Sequence, residues 1–139
     1  MSHDPAYLLD TGPAFDVLFR RRGVYERARE VRQQGGIVGI CVPVLGEIIG
    51  GIEGSANRDH SWDIVRRTVG QLVLWPYDKA AAHEFGRIIA DLRRHGRPMQ
   101  QIDIMIAAIA NTLGSCTVVT GDSDFAAIPG LTTETWSVE

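Results

Sequence analysis

The chain has 139 residues, 45% of them hydrophobic, and a formal net charge of −3. That length carries one core-bearing domain, residues 1–139, and that apolar content excludes a disordered chain. The mildly acidic balance excludes recognition of nucleic acid through a global basic field.

Charge is nevertheless uneven. Arg20, Arg21, Arg22, Arg27, Arg29 and Arg32 fall within thirteen residues, and Arg93, Arg94 and Arg97 form a second group. Each group reads equally as a solvated helix face or as a phosphate contact. Cys41 and Cys116 lack CxxC spacing and sit in or beside apolar strand patterns, so they read as small buried thiols in a reducing cytoplasm. No basic-then-apolar leader opens the sequence. The longest uncharged apolar stretch, residues 36–46, falls short of the roughly 18 residues that a membrane span requires.

In chain order, Ala6-Tyr7-Leu8-Leu9 is a short apolar run between Pro5 and Gly12-Pro13, the mark of a buried strand. Pro13 suits a first helical turn, and Ala14, Val17 and Leu18 have the spacing of one buried helical face. Gly23 breaks that helix. A charged helix follows over 24–34, with Val24, Ala28 and Val31 as a stripe for the core or for a partner. Residues 37–42 are β-branched and apolar on both faces, as in a parallel strand. Pro43 starts a helix through Gly54. Asp59 or Ser61 is the expected cap of a helix running to about Gly70. A third strand covers 72–75, and Asp78 caps a helix over 79–94 with Ala82, Phe85, Ile88, Ile89 and Leu92 inward. After the turn at 95–98, a helix over 101–113 places Ile102, Ile106, Ile109 and Leu113 on its core stripe. A fourth strand at 117–120 and a fifth at about 133–136 complete the pattern. Strands alternating with helices predict a three-layer α/β/α domain with a mostly parallel sheet of about five strands.

Acids recur where such a fold places active sites. Asp10 ends the first strand and also has the chemistry of a helix cap. Glu47 interrupts the apolar run Val44, Leu45, Ile48, Ile49 and Ile52, which an acid enters rarely without a partner; an exposed Glu on an amphipathic helix is the competing explanation. Gly50 or Gly51, with Gly54, bares the backbone on its face, so that a substrate or another segment can approach. Asp103 lies in a first helical turn with small Ala107 and Ala110 on its own face, so that face packs closely and draws the acid inward. Asp122 and Asp124 follow the fourth strand, where a simple turn is the competing explanation. Two such charges about 5 Å apart repel by about 3 kcal/mol at an effective dielectric of about 20. A convergent set therefore needs raised pKa values or a cation. Oxygen-only donors favour Mg²⁺ or Mn²⁺, which can activate water for phosphodiester hydrolysis. The histidines, His3, His60, His83 and His95, lack metal-ligand spacing and read as surface residues.

Asp10 in Leu8-Leu9-Asp10-Thr11, Glu47 before Gly50-Gly51-Ile52-Glu53, Asp103 in Asp103-Ile104-Met105-Ile106-Ala107-Ala108, and Thr120-Gly121-Asp122-Ser123-Asp124-Phe125 together resemble the four acidic motifs of PIN-domain ribonucleases. The likeness is closest to the VapC-type toxins of bacterial toxin–antitoxin pairs. Gly96-Arg97-Pro98, Gly130-Leu131 and Glu134 with Trp136 add to it. The resemblance implies a Mg²⁺- or Mn²⁺-dependent endoribonuclease of PIN-like fold, usually a homodimer, silenced by a VapB-like antitoxin. It assigns Asp10 and Asp103 to direct metal binding, and Glu47 to the rest of the shell or to the attacking water. Asp122 is the fourth acid and Asp124 a second candidate for its place. Thr11 and Thr120 would orient the carboxylates. Gly12 departs from the pattern, which usually has Asn there. The alternative is a PIN-fold RNA-binding or regulatory module with too weak a metal site for turnover. Leu9-Asp10-Thr11-Gly12 also spells the Asp-Thr-Gly of aspartic proteases, with Ile49-Gly50-Gly51-Ile52 like the retroviral flap. Those enzymes are all-β, whereas more than half of this chain reads as helix.

Overall fold

A computed structural model describes residues 4–138; His3 lies outside the described residues. Five strands form one sheet: β1 (Ala6–Leu9), β2 (Ile37–Cys41), β3 (Val73–Trp75), β4 (Cys116–Val119) and β5 (Thr132–Glu134), in the order β3-β2-β1-β4-β5. Every pairing is parallel. The helices are α1 (Thr11–Leu18), α2 (Val24–Gln33), α3 (Val42–Glu53), α4 (Arg58–Thr68), α5 (Lys79–Arg94) and α6 (Gln101–Leu113). This is the α/β architecture expected from the alternating pattern, with the sheet parallel throughout.

Strand order decides where a site can form. The chain steps outward from β1 to β2 and β3, then returns to lay β4 on the other side of β1. Right-handed crossovers running in opposite directions put their helices on opposite faces of the sheet. The packing agrees: α1 touches α2, α3 and α4, while α5 packs most extensively on α6. The reversal leaves a crevice beyond the carboxyl ends of β1 and β4, the place where open parallel sheets bind ligands. Asp10 and Thr120 are the first residues past those two ends.

The core follows from burial on both sheet faces. Leu8, Leu9, Ile40, Val118 and Val119 are fully buried in the three central strands. Ala14, Val17 and Leu18 pack inward from α1 as their spacing requires. Val24, Ala28 and Val31 of α2 are all buried, so that stripe serves the core of this chain and not a partner. Both thiols are free and buried, and burial pushes each up to about 11, which leaves them unreactive at neutral pH. Gly39 lets the edge strand approach: a Cβ there would meet the Val73 carbonyl and lie 2.8 Å from Trp75 Cζ3.

Several local expectations are corrected. α4 begins at Arg58 with Asn57 at its cap position and no side-chain cap, so neither Asp59 nor Ser61 serves. The turn is held instead by Glu53, which accepts from Arg58 Nε at 3.1 Å and from Trp62 Nε1 at 3.2 Å. In α5, Ala81 is buried and Ala82 exposed. In α6 the buried face is broader than a stripe, taking in Asp103, Ile104 and four consecutive residues from Ala107 to Ala110, while Leu113 is exposed. The helix is enclosed between α5, α3 and the sheet, which explains the breadth. β4 starts at Cys116, β5 lies at 132–134, and a 3-10 turn at 123–127 was not evident in the apolar pattern. Among the described residues no helix is long and apolar enough to cross a membrane.

Candidate active site

Asp10 is the best-anchored acid. Its backbone N–H donates to the Val119 carbonyl at 2.9 Å, extending the β1–β4 pairing by one residue. Its Oδ1 accepts from the Thr11 N–H at 2.8 Å, and its Oδ2 accepts from the Thr120 hydroxyl at 2.8 Å. The capping reading and the functional reading therefore describe one side chain. Thr120 orients Asp10 through its hydroxyl as expected, whereas Thr11 does so through its backbone amide. Thr120 is itself buried, and its hydroxyl oxygen accepts from the Asp122 N–H at 3.0 Å. One hydroxyl thus ties the first acid to the loop that carries the last.

Asp103 sits at the third position of α6, with only 9% of its surface exposed. Its carboxyl is raised from an ordinary value of 3.8 to about 6, first by burial, then by the charges of Asp10, Asp122, Asp124 and Glu47 in that order. The four other acids singled out from the sequence thus all contribute to the shift of Asp103. The helix N-terminus favours the anion, but desolvation and like charge outweigh it.

The remaining acids are less constrained. Glu47 is exposed on α3, because it lies on the flank of the stripe formed by Val44, Ile48 and Ile52. Its helix touches α6, so its charge still reaches Asp103, as the weakest of the four. Of the neighbouring glycines, Gly51 gives room to another segment: a Cβ there would stand 3.1 Å from the Phe15 ring. Asp122 and Asp124 are both exposed. Asp122 Oδ1 accepts from the Asp124 N–H at 2.9 Å, the turn-capping bond that was its bland explanation.

The donor set is all oxygen, concentrated around a carboxyl whose ionisation is opposed, and this chemistry fits a hard divalent cation. Among the described residues, however, no three or more His, Cys, Asp or Glu side chains are already arranged to hold a metal. The acids are gathered but their side chains are not drawn together. Gly12 leaves space at this end of α1, since a Cβ there meets nothing within 4 Å. His60, His83 and His95 are exposed.

The two arginine groups part company. In the first, Arg20 lies 4.3 Å over the Tyr25 ring, Arg21 is 3.8 Å from Asp16, and Arg32 donates to the Gln71 carbonyl at 2.9 Å. These are intramolecular contacts. About 12 Å of α1 separates Arg20 and Arg21 from Asp10. In the second, Arg94 pairs with Asp91 at 3.3 Å, while Arg97 lines a cleft with Asp124. In the sequence Arg97 stands apart from its neighbours only through Gly96-Arg97-Pro98, which assigns it no partner.

Comparison with known proteins agrees with this geometry. The PIN domain family model matches residues 7–131. The tRNA(fMet)-specific endonuclease VapC of Shigella flexneri is 37% identical over 93 residues, 67% of this chain and 70% of that protein. The DNA-bound VapBC of Salmonella typhimurium superposes with a TM-score of 0.83 at 30% identity, covering 95% of this chain and 98% of the other. VapBC-5 of Mycobacterium tuberculosis, a member of the VapBC family of toxin–antitoxin systems, gives 0.67 at 26%, covering 96% and 98%. The parallel α/β fold and the family match together define a PIN domain. This chain belongs to the PIN-domain family, among its VapC-type members.

Proposed function

We propose that this protein is a divalent-metal-dependent endoribonuclease, the toxin of a type II toxin–antitoxin pair. The observation that carries the reading is Asp103, a nearly buried acid raised to about 6 by burial and by four other carboxylates. Such an accumulation of like charge is costly to the fold and is relieved by a bound cation. Mg²⁺ or Mn²⁺ at this site would supply a water of lowered pKa and offset the charge developing on the phosphodiester.

The chain's own groups have separable tasks. Asp10 and Asp103 would hold the ion, Asp10 being preset by its bonds to Thr11 and Thr120. Glu47, on the open side, would orient the attacking water. Asp122 would complete the set: its charge weighs more on Asp103 than that of Asp124, which remains the second candidate. Transfer RNA is the first substrate to examine, because relatives at 37% and 35% identity are named for cleaving it. A VapB-like antitoxin is the proposed protein partner, and a homodimer the proposed assembly. An open cleft of about 470 Å³ lined by Phe15, Phe19, Arg21, Gly51 and Ile52 offers such a chain an apolar seat beside α3.

The test is incubation of the purified protein with labelled bulk transfer RNA and Mn²⁺, with chelator and Asp103→Asn as controls. Cleavage lost in both controls supports the assignment. Cleavage by Asp103→Asn at the wild-type rate overturns it. A second reading, a PIN-fold RNA-binding module without turnover, draws on the absence of a preassembled ligand group among the described residues and on Gly12. It predicts RNA binding with neither cleavage nor stabilisation by Mn²⁺.

A further inference from the structure

We infer that Arg97 is a substrate-positioning residue, its guanidinium holding a backbone phosphate of the RNA beside the bond to be cut. The inference rests on the ribonuclease reading and specifies which group fixes the strand. Arg97, Pro98, Met99, Ser123, Asp124 and Ala127 line a cleft of about 340 Å³. The Asp124 N–H donates to Asp122 Oδ1, and Thr120 ties that loop to Asp10, so the cleft lies beside the loop that carries the last acids. A polyanion placed there is repelled by Asp124, and the Arg97 guanidinium is the positive charge on the cleft's own lining.

The backbone under Arg97 is rigid. α5 ends in a Schellman turn, with Gly96 at φ +62, its N–H donating to the Arg93 carbonyl at 3.2 Å, and the Arg97 N–H donating to the Leu92 carbonyl at 2.9 Å. Pro98 then confines Arg97 to extended backbone. The side chain itself is exposed, and among the described residues it has no carboxylate within 4.0 Å, although it shares a cleft with one. Arg94, three residues earlier, is committed to Asp91. A rigidly mounted, uncommitted guanidinium suits phosphate, whose oxygens match its fork of donors. Met99, half-buried beside it, offers a polarisable surface for the attached base.

The test compares wild type, Arg97→Ala, Arg97→Lys and Arg29→Ala, an exposed α2 arginine outside the site. Bulk transfer RNA is the probe. Cleavage kinetics are measured in Mn²⁺, and binding is measured in chelator from about 50 to 200 mM salt. Arg97→Ala should raise KM and weaken binding about tenfold, and kcat should stay within about twofold. Its log–log salt slope should flatten by about 0.7, one phosphate contact on a single strand. Arg97→Lys should restore the slope but only part of the affinity. Arg29→Ala should match wild type. An Arg97→Ala protein with wild-type KM, affinity and slope overturns the inference, as does an equal loss in Arg29→Ala. Wild-type protein that binds but does not cut would sink the nuclease reading, and the binding slopes would still decide Arg97.

Discussion

The Thr120 hydroxyl donates to Asp10 Oδ2 across 110 residues of sequence, at 2.8 Å. The same oxygen accepts from the Asp122 amide at 3.0 Å. Thr120→Val removes both bonds while keeping the shape. It should cost about 1–2 kcal/mol in denaturant unfolding and lower cleavage at least about tenfold. Thr120→Ser should retain most of both. A valine variant that cuts at the wild-type rate would show that Asp10 needs no such anchor.

Asp103 makes stability depend on pH in a direction opposite to that of most carboxylates. Well below 3.8 it is protonated in folded and unfolded chains alike and contributes nothing. Between 3.8 and about 6 the unfolded chain releases its proton while the native one keeps it, so stability falls as pH rises. Above about 6 the penalty is constant, on the order of 2–3 kcal/mol for a shift of this size. Asp103→Asn removes it. In chelator, the variant should therefore exceed wild type in urea midpoint at pH 7.5, with most of the difference gone at pH 4. A variant less stable at both would mean that the acid is not opposed by its surroundings.

Cation binding should relieve the same repulsion. With Mn²⁺ at about ten times its dissociation constant, wild type should gain about 1.4 kcal/mol, seen as a melting-temperature rise of a few degrees. Asp103→Asn should lose the rise. Glu47→Gln should keep most of it, because Glu47 is exposed and acts most weakly on Asp103. Gly12→Asn, at a position where an added Cβ meets nothing within 4 Å, should enlarge it. No rise in wild type would favour the non-catalytic reading.

Gly39 tests the sheet independently of the acids. A Cβ at this position collides with the Val73 carbonyl and the Trp75 ring, and neither backbone nor packed indole yields cheaply. Gly39→Ala should cost about 3 kcal/mol or more and loosen β3, with faster amide exchange at Val73 to Trp75. A variant of wild-type stability would mean that β3 sits farther from β2 than described.

Much of this molecule was written locally. Apolar runs of four or five residues, closed by proline or glycine, sufficed for β1, β2 and β3. The spacing of Ala14, Val17 and Leu18 sufficed for the inner face of α1. The candidate acids could be named because a charge at a strand end or in a first helical turn stands out against its neighbours. Periodicity says which face of an element is apolar, but not what covers it. Only the return of β4 to the side of β1 brings Thr120 to Asp10. Only the packing of α2 on β2 assigns Val24, Ala28 and Val31 to the core. Glu47 shows the same limit from the other side: the apolar run around it suggested burial, and helix rotation left it in solvent. Arg97 stood apart from Arg93 and Arg94 only as the middle of Gly96-Arg97-Pro98, and that turn gave it no task, because a guanidinium's task depends on which carboxylates stand near it in space. Hydrogen bonds and charge act between groups that are close in three dimensions, so the sequence by itself determined the elements and the candidate acids, and the tertiary structure decided their alignment.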